Sequence, residues 1–292
     1  MECFLHLIYY FFFSFQQFSL SDREKQLGLG DKGVTTYFTP NCTNEDSDLV
    51  NRFFKLKNME GYINRVFKVT KGGENGRDLF EIRHAAAENS VIGDREVFEN
   101  ADFVITAGDY NSLLHKVNEN LLKAKDYGSN EDEKAMIEFY VQSFREGSLD
   151  AHKNGSRHWI KNKGPTVETY IGFIETYRDP VGMRGEFEGF VAMVNKEQSA
   201  KFQELVDNAE NLLTYLPWPK EFEKDTFLRP DFTSLDVLAF AGSGIPAGIN
   251  IPNCKFSVAS LFFFEQKNFS KKHLNLGTLT INSVDLRNIL LK

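Results

Sequence analysis

An α+β fold is what the sequence predicts, and three observations carry the prediction. Short β-branched or alternating segments gather before Tyr110 and again between Thr166 and Asn195. Between and after them, apolar residues recur at helical spacing. No internal repeat or low-complexity linker divides the chain, so the order reads as a strand-rich unit interrupted by helices.

Each element follows from its residues. The stretch "GVTTYFT" (Gly33 to Thr39) reads as a β-branched strand closed by Pro40. Arg65 to Thr70 and Asp78 to Arg83 flank a charged, glycine-rich turn and read as a hairpin. "ADFVITAGDY" supplies a further strand. In "NSLLHKVNENLLKAK", Leu114, Val117, Leu121 and Ala124 form a helical stripe. "NEDEKAMIEFYVQSF" places acidic residues in its first turn, where the helix dipole favours them, and its stripe is Met136, Phe139, Tyr140 and Phe144. "TVETYIGFIETY" and "GEFEGFVAMVN" return to strand. A helix then runs from Lys196 to Leu216, ended by Pro217, and "SLDVLAFAG" closes as strand.

Composition narrows the function classes. The net charge of −7 argues against a nucleic-acid footprint. Three scattered cysteines, Cys3, Cys42 and Cys254, form no CxxC pair or disulfide framework, so a reducing, cytoplasmic setting is the expectation. The apolar run Phe4 to Phe13 is interrupted by His6 and is shorter than the ~20 residues a spanning helix needs. Glu2 stands where a signal peptide would be basic, so no membrane partner is expected.

Two segments have the chemistry of a site. In "GFIETYRDP", Glu175 and Tyr177 would share one face of an extended strand, with Ile174 turned to the core. A carboxylate there can hold an ammonium group by a charge-assisted hydrogen bond, and a phenol can donate to an oxygen as charge develops. The plain alternative is a solvated Glu beside a half-buried Tyr. In "GSGIPAGINIPN", three glycines allow close backbone approach, and Pro246 and Pro252 confine the piece between them to a sheet edge. Such an edge can accept an extended peptide; the alternative is a tight structural loop.

The run from "GSRHWIKNKGPTVETYIGFIETYRDP" through "VGMRGEFEGFVAMVNK", with "LPWP" and "PDFTSLDVLAFAGSGIPAGINIPN", resembles the dipeptidyl peptidase III family. The resemblance spans Asp22 to Asn253. It implies zinc-dependent aminopeptidases that release dipeptides from oligopeptides with a free N-terminus, in the cytoplasm. On this resemblance Tyr177 would be catalytic, donating to the tetrahedral intermediate, and Glu175 would anchor the peptide's amine. Asn250 and Asn253 would hold the peptide, and Ala247 and Gly248 would lie on the strand it pairs with. The implied fold is two-lobed. Residues 22–195 would belong to a β-barrel-containing lobe, 196–233 to a helical excursion toward the second lobe, and 234–253 to the returning peptide-binding edge.

The resemblance also implies zinc, held by His-Glu-x-x-Gly-His and a glutamate of a second helix. None of the six histidines here is followed by Glu, and His84 with Glu88 is the nearest imitation of a metal pair. No metal ligand is therefore assigned. The chain reads as a truncated member that keeps peptide-binding residues and is inactive alone, or as a non-catalytic peptide-binding short isoform. Residues 1–21 and 254–292 read as tails foreign to the family. "Cys-Lys-Phe" at 254–256 is encodable with an intron-donor sequence. Genomic DNA across the codons from Asn250 to Ser260 should then show a donor site; its absence would remove the intron origin.

Overall fold

The structure is a computed structural model that describes residues 21–162, 164–222, 231–242, 249–250 and 280–282. The fold is mixed α+β, and the chain divides into two compact units, Met1–Leu114 with Glu175–Glu186, and His115–Ile174 with Phe187–Lys292.

The first unit is a helix on a four-stranded sheet. Strands β1 (Asn64–Val69), β2 (Asp78–Ala85), β3 (Ser90–Phe98) and β4 (Ala101–Asp109) lie in the order β1-β2-β4-β3. β1 and β2 form the expected antiparallel hairpin, β2 and β4 run parallel, and β3 returns antiparallel to β4. Alternation along the strands turns Val66, Phe80, Ile82, Ala101 and Phe103 to one buried face. Helix α1 (Asn44–Leu56) covers that face with Leu49, Val50, Phe53 and Phe54. Phe103 stacks on Phe53 at 4.1 Å and on Phe80 at 5.2 Å, so one ring ties helix to sheet. A capping box starts α1: the Thr43 hydroxyl accepts from the Asp46 amide, and the Asp46 carboxylate accepts from the Thr43 amide.

Two readings of this unit need correction. Gly33 to Thr39 is not a strand, because only single bridges form, Leu27↔Val34 and Phe38↔Val66. The chain coils there instead: the Gly28 amide donates to the Val34 carbonyl and the Val34 amide to the Gln26 carbonyl, and a Cβ on Gly28 or Gly33 would fall 2.6 Å from backbone. β3 escaped the sequence reading because it is a solvent-facing edge. Its Gly-Asp-Arg interior sits at a bulge between Ile92 and Glu96, and no apolar alternation marks it.

Helix α2 (Asn111–Lys125) begins in the first unit and continues from His115 in the second, where α3 (Glu131–Glu146) and α4 (Leu149–Lys161) follow. Gly147, at φ 70°, caps α3 in the left-handed region, and Ser148 caps α4 by accepting from the Ala151 amide. The α3 stripe holds, with Met136, Tyr140 and Phe144 buried and Phe139 half-buried and stacked on His158 at 5.5 Å. The α2 stripe holds in part: Leu114 is buried, Val117 and Leu121 are half-buried and Ala124 is exposed. Helix α4 lacked an apolar stripe because its buried face is Ala151, Gly155, Ser156 and Trp159. Gly155 is required by closeness, since a Cβ there would lie 2.9 Å from the Tyr140 ring.

Strands β5 (Val167–Phe173), β6 (Phe187–Val194) and β8 (Leu235–Ala241) make an antiparallel sheet in the order β5-β6-β8. The helix expected over Lys196 to Leu216 is two pieces, α5 (Lys196–Asp207) and α6 (Ala209–Leu213). Asn208 interrupts it by turning its side-chain amide back onto the Glu204 carbonyl at 2.8 Å. A small third sheet joins β7 (Asp231–Phe232), β9 (Ile249–Asn250) and β10 (Thr280–Asn282) in the order β7-β10-β9. All three sheets are open among the described residues.

His152 is enclosed between α3, α4 and β5. Its Nε2 lies 3.1 Å from the Tyr170 hydroxyl, which also meets the Ser156 hydroxyl at 3.0 Å. Burial, with Lys153 adding, pushes this imidazole down to about 4. Burial pushes His84 of β2 down to about 4 as well. Both are neutral when folded, whereas an unfolded histidine titrates near 6.5, so their stabilisation is complete above about 6.5 and is lost as pH falls toward 4. The melting temperature should therefore fall through that window, and His152→Gln should make the fall shallower in a calorimetric pH series.

Candidate functional site

Glu175 and Tyr177 lie beyond the strand on which the sequence placed them. The β5–β6 ladder ends at the pair Phe173↔Phe187, and residues 174–186 leave it as a loop. Strand alternation therefore does not set the direction of Glu175 and Tyr177. The expected turn is present at Tyr177 to Pro180, and Ile174 is buried as expected.

The loop is organised around Asp179. Its backbone amide donates to the Thr176 carbonyl at 3.2 Å, and its own carbonyl accepts from Gly182 at 2.9 Å. Its carboxylate accepts from the amides of Val181, Met183 and Arg184 at 3.2, 2.9 and 2.8 Å. Gly182 takes the turn at φ 72°, a left-handed conformation that glycine adopts without strain. The Glu186 amide closes the mouth by donating to the Glu175 carbonyl at 2.8 Å. Thus Glu175 sits at the mouth, half-buried, and Tyr177 projects from the turn with 62% of its surface exposed.

The far side of the loop is rooted in the core of the first unit. Arg184 is fully buried, with its guanidinium 4.3 Å from the centre of the Phe38 ring and 5.6 Å from that of Phe54. Its Nη1 approaches Asp179 Oδ2 at 3.5 Å. Burial holds its pKa below the ordinary arginine value, against the favourable charge of Asp179. Gly185 donates to the Tyr62 carbonyl at 2.8 Å, and Met183 packs so closely on Gly61 that a Cβ there would sit at 3.2 Å. Nearby, burial and then the charges of Glu186 and Asp179 push the Tyr37 phenol up to about 12, keeping it protonated.

Of the other candidate residues, Asn250 lies on β9, in the second unit. β9 is an edge strand whose partner among the described residues is β10, with Ile281 opposite Asn250 and Asn282 opposite Ile249. Ala247, Gly248 and Asn253 fall outside the described residues. Sequence reasoning missed Asp179 as an organiser and Arg184 altogether; the spacing Asp-Pro-x-Gly-x-Arg-Gly was the available signal.

The described residues do not fit zinc. No group of three His, Cys, Asp or Glu side chains gathers among them. His84 keeps a buried Nε2 without a protein partner, while Glu88 is exposed, and His158 Nδ1 pairs with Asp132 at 2.7 Å.

The model of peptidase family M49 matches residues 13–270, and the chain belongs to that family. The match extends past Asp22 and Asn253 at the two ends. Among relatives, dipeptidyl peptidase 3 of Mus musculus is 56% identical over 245 residues, covering 81% of this chain and 33% of that protein. The Homo sapiens protein of the same name is 55% identical over 245 residues, with the same coverage. That of Dictyostelium discoideum is 46% identical over 236 residues, covering 81% and 33%. The chain thus spans about a third of the length of the curated relatives it matches. Two solved structures share the fold. DPP III from Caldithrix abyssi has a TM-score of 0.55 at 15% identity, covering 78% of this chain and 42% of its own. Dipeptidyl-peptidase III from Corallococcus sp. strain EGB has a TM-score of 0.53 at 16% identity, covering 76% and 37%.

Asp179→Ala removes an acceptor of three amides and leaves Arg184 buried without its counter-charge. It should lower stability by about 3–5 kcal/mol, seen as a reduced urea midpoint with an unchanged slope.

Proposed function

We propose that this chain supplies the peptide-binding side of dipeptidyl peptidase chemistry and, alone, binds oligopeptides with a free N-terminus without hydrolysing them. The observation that carries the proposal is 56% identity over 245 residues to a dipeptidyl peptidase 3. The loop geometry supports it, because it presents Glu175 and Tyr177 from a fixed backbone in a partly exposed setting.

In this reading Glu175 accepts hydrogen bonds from the peptide's ammonium, fixing which end enters. Where an activated water is supplied, the Tyr177 phenol would donate a hydrogen bond to the carbonyl oxygen on which negative charge grows, a contact that strengthens only as the bond is attacked. Asn250 and Asn253 hold the peptide's amides, and Ala247 and Gly248 offer backbone for pairing along the edge. Amide hydrolysis also needs an activated water, which zinc supplies in the family. The His-Glu-x-x-Gly-His motif is absent from these 292 residues. No hydrolytic step is assigned to the chain for that reason.

The wider organisation belongs to the same reading. The β5-β6-β8 sheet is taken as part of a β-barrel lobe spanning residues 22–195 with the return at 234–253. Residues 196–233 are the excursion toward a helical lobe, and the tails read as foreign to the family shrink to residues 1–12 and 271–292, because the family match includes 13–21 and 254–270. A reducing, cytoplasmic setting accords with the buried free thiol of Cys42. No helix among the described residues is long and apolar enough to cross a membrane.

Calorimetric titration with a tetrapeptide tests the proposal. A free-amine peptide should bind, and N-acetylation or Glu175→Ala should each weaken it about ten- to a hundredfold, the range for one charge-assisted bond. Binding should fade as pH rises through about 8, where the peptide's α-amino group loses its proton. Tyr177→Phe should leave this affinity nearly unchanged. Equal affinity for free and acetylated peptides would defeat the assignment of Glu175, and dipeptide release by the purified chain would defeat the assignment of binding alone.

A further inference from the structure

We infer that Arg184, acting through Asp179, is the positioning residue of the Glu175–Tyr177 segment, an inference that rests on the peptide-binding reading of that segment. A surface loop of this length ordinarily samples many conformations, and ordering each residue costs backbone entropy. Here the ordering has an identifiable chain of causes. Arg184 faces Asp179, the Asp179 carboxylate gathers three amides, and the Asp179 amide reaches the carbonyl of Thr176. Thr176 is the residue between Glu175 and Tyr177. A displacement of Asp179 therefore moves both candidate side chains.

Stability alone is a poor reason for an arginine at this place. Its Nε and Nη2 have no hydrogen-bond partner, its one ion pair is long, and its charge is fully desolvated. An apolar pair in place of Arg184 and Asp179 would avoid that desolvation, and replacing both members of a buried ion pair is commonly neutral or stabilising, whereas removing Arg184 alone leaves Asp179 a buried charge without its partner. What an apolar side chain cannot do is hold the Asp179 carboxylate in place. The planar guanidinium does so while lying against two aromatic rings, a combination lysine reproduces only in charge.

The test compares the parent chain with Arg184→Met, Arg184→Lys and Glu175→Ala. Three readouts are taken: melting temperature, amide hydrogen exchange and affinity for a free-amine tetrapeptide. For Arg184→Met, exchange at the Asp179 and Glu186 amides should accelerate about tenfold or more, since both report hydrogen bonds inside the loop. Exchange at Val66 and Ile82, in the sheet of the same unit, should stay at the parent rate. Peptide affinity should fall about tenfold, in line with the cost of small misplacements of binding groups. Arg184→Lys should recover part of the affinity by keeping the charge.

Each other outcome overturns the inference. Unchanged exchange in the loop means that Arg184 anchors nothing. A loosened loop with parent affinity means that it anchors nothing that binds. Faster exchange at Val66 and Ile82 together with a lowered melting temperature marks a plain core residue. Should Arg184→Met fail to fold, Arg184→Lys with parent exchange and parent affinity has the same force. Peptide binding that Glu175→Ala weakens but Arg184→Met leaves intact sinks this inference alone. Binding indifferent to Glu175→Ala removes the peptide-binding reading and takes the inference with it.

Discussion

The carboxylate of Asp179 is the constraint on which the candidate site depends. Three amides converge on it, at 2.8 to 3.2 Å, from residues that would otherwise need water or a strand partner. Because those amides are satisfied inside the loop, the chain can leave the β5–β6 ladder and still keep a defined path. Arg184 enters the core of the first unit against the rings of Phe38 and Phe54, and the Gly185–Tyr62 backbone bond fixes the chain beside it. The loop's shape is thus a property of the first unit, although the chain enters and leaves it through strands of the second.

What the sequence revealed depended on whether a local rule governed each segment. The β1–β2 hairpin was legible because "KGGENGR" is a turn by its own chemistry, and Asn75 and Gly76 do adopt positive φ there. The stripe of α3 was legible because it buries Met136, Tyr140 and Phe144 at helical spacing, while that of α2 marked the helix although only Leu114 of its four residues is buried. Helix α4 was silent because its packing uses Gly155, Ser156 and Ala151, small residues that carry no periodic apolar signal. β3 was silent because an exposed edge needs no alternation. Gly33 to Thr39 was misread because β propensity was outvoted by tight glycine contacts.

The site shows the same division. Ile174 was read correctly as core, and Glu175 and Tyr177 were picked for their chemistry. Their geometry was misjudged because the ladder's end is fixed by a carboxylate several residues later in the chain. Nothing in local alternation announces such an interaction. Arg184 was invisible for a related reason: an arginine in a polar stretch reads as solvated until its aromatic neighbours, distant in sequence, are known.

The first unit draws its last piece of core from residues 175–186, which arrive only after the chain has built α3, α4 and β5 elsewhere. No single cut can excise it. A polypeptide ending at Leu114 would carry α1 and its sheet with the rings of Phe38 and Phe54 stripped of the guanidinium that lies against them. During synthesis this half must wait, incompletely sealed, until the later segment emerges. Maturation of the two halves is thereby coupled in time, and a boundary drawn for expression has to respect an interleaved rather than a sequential partition.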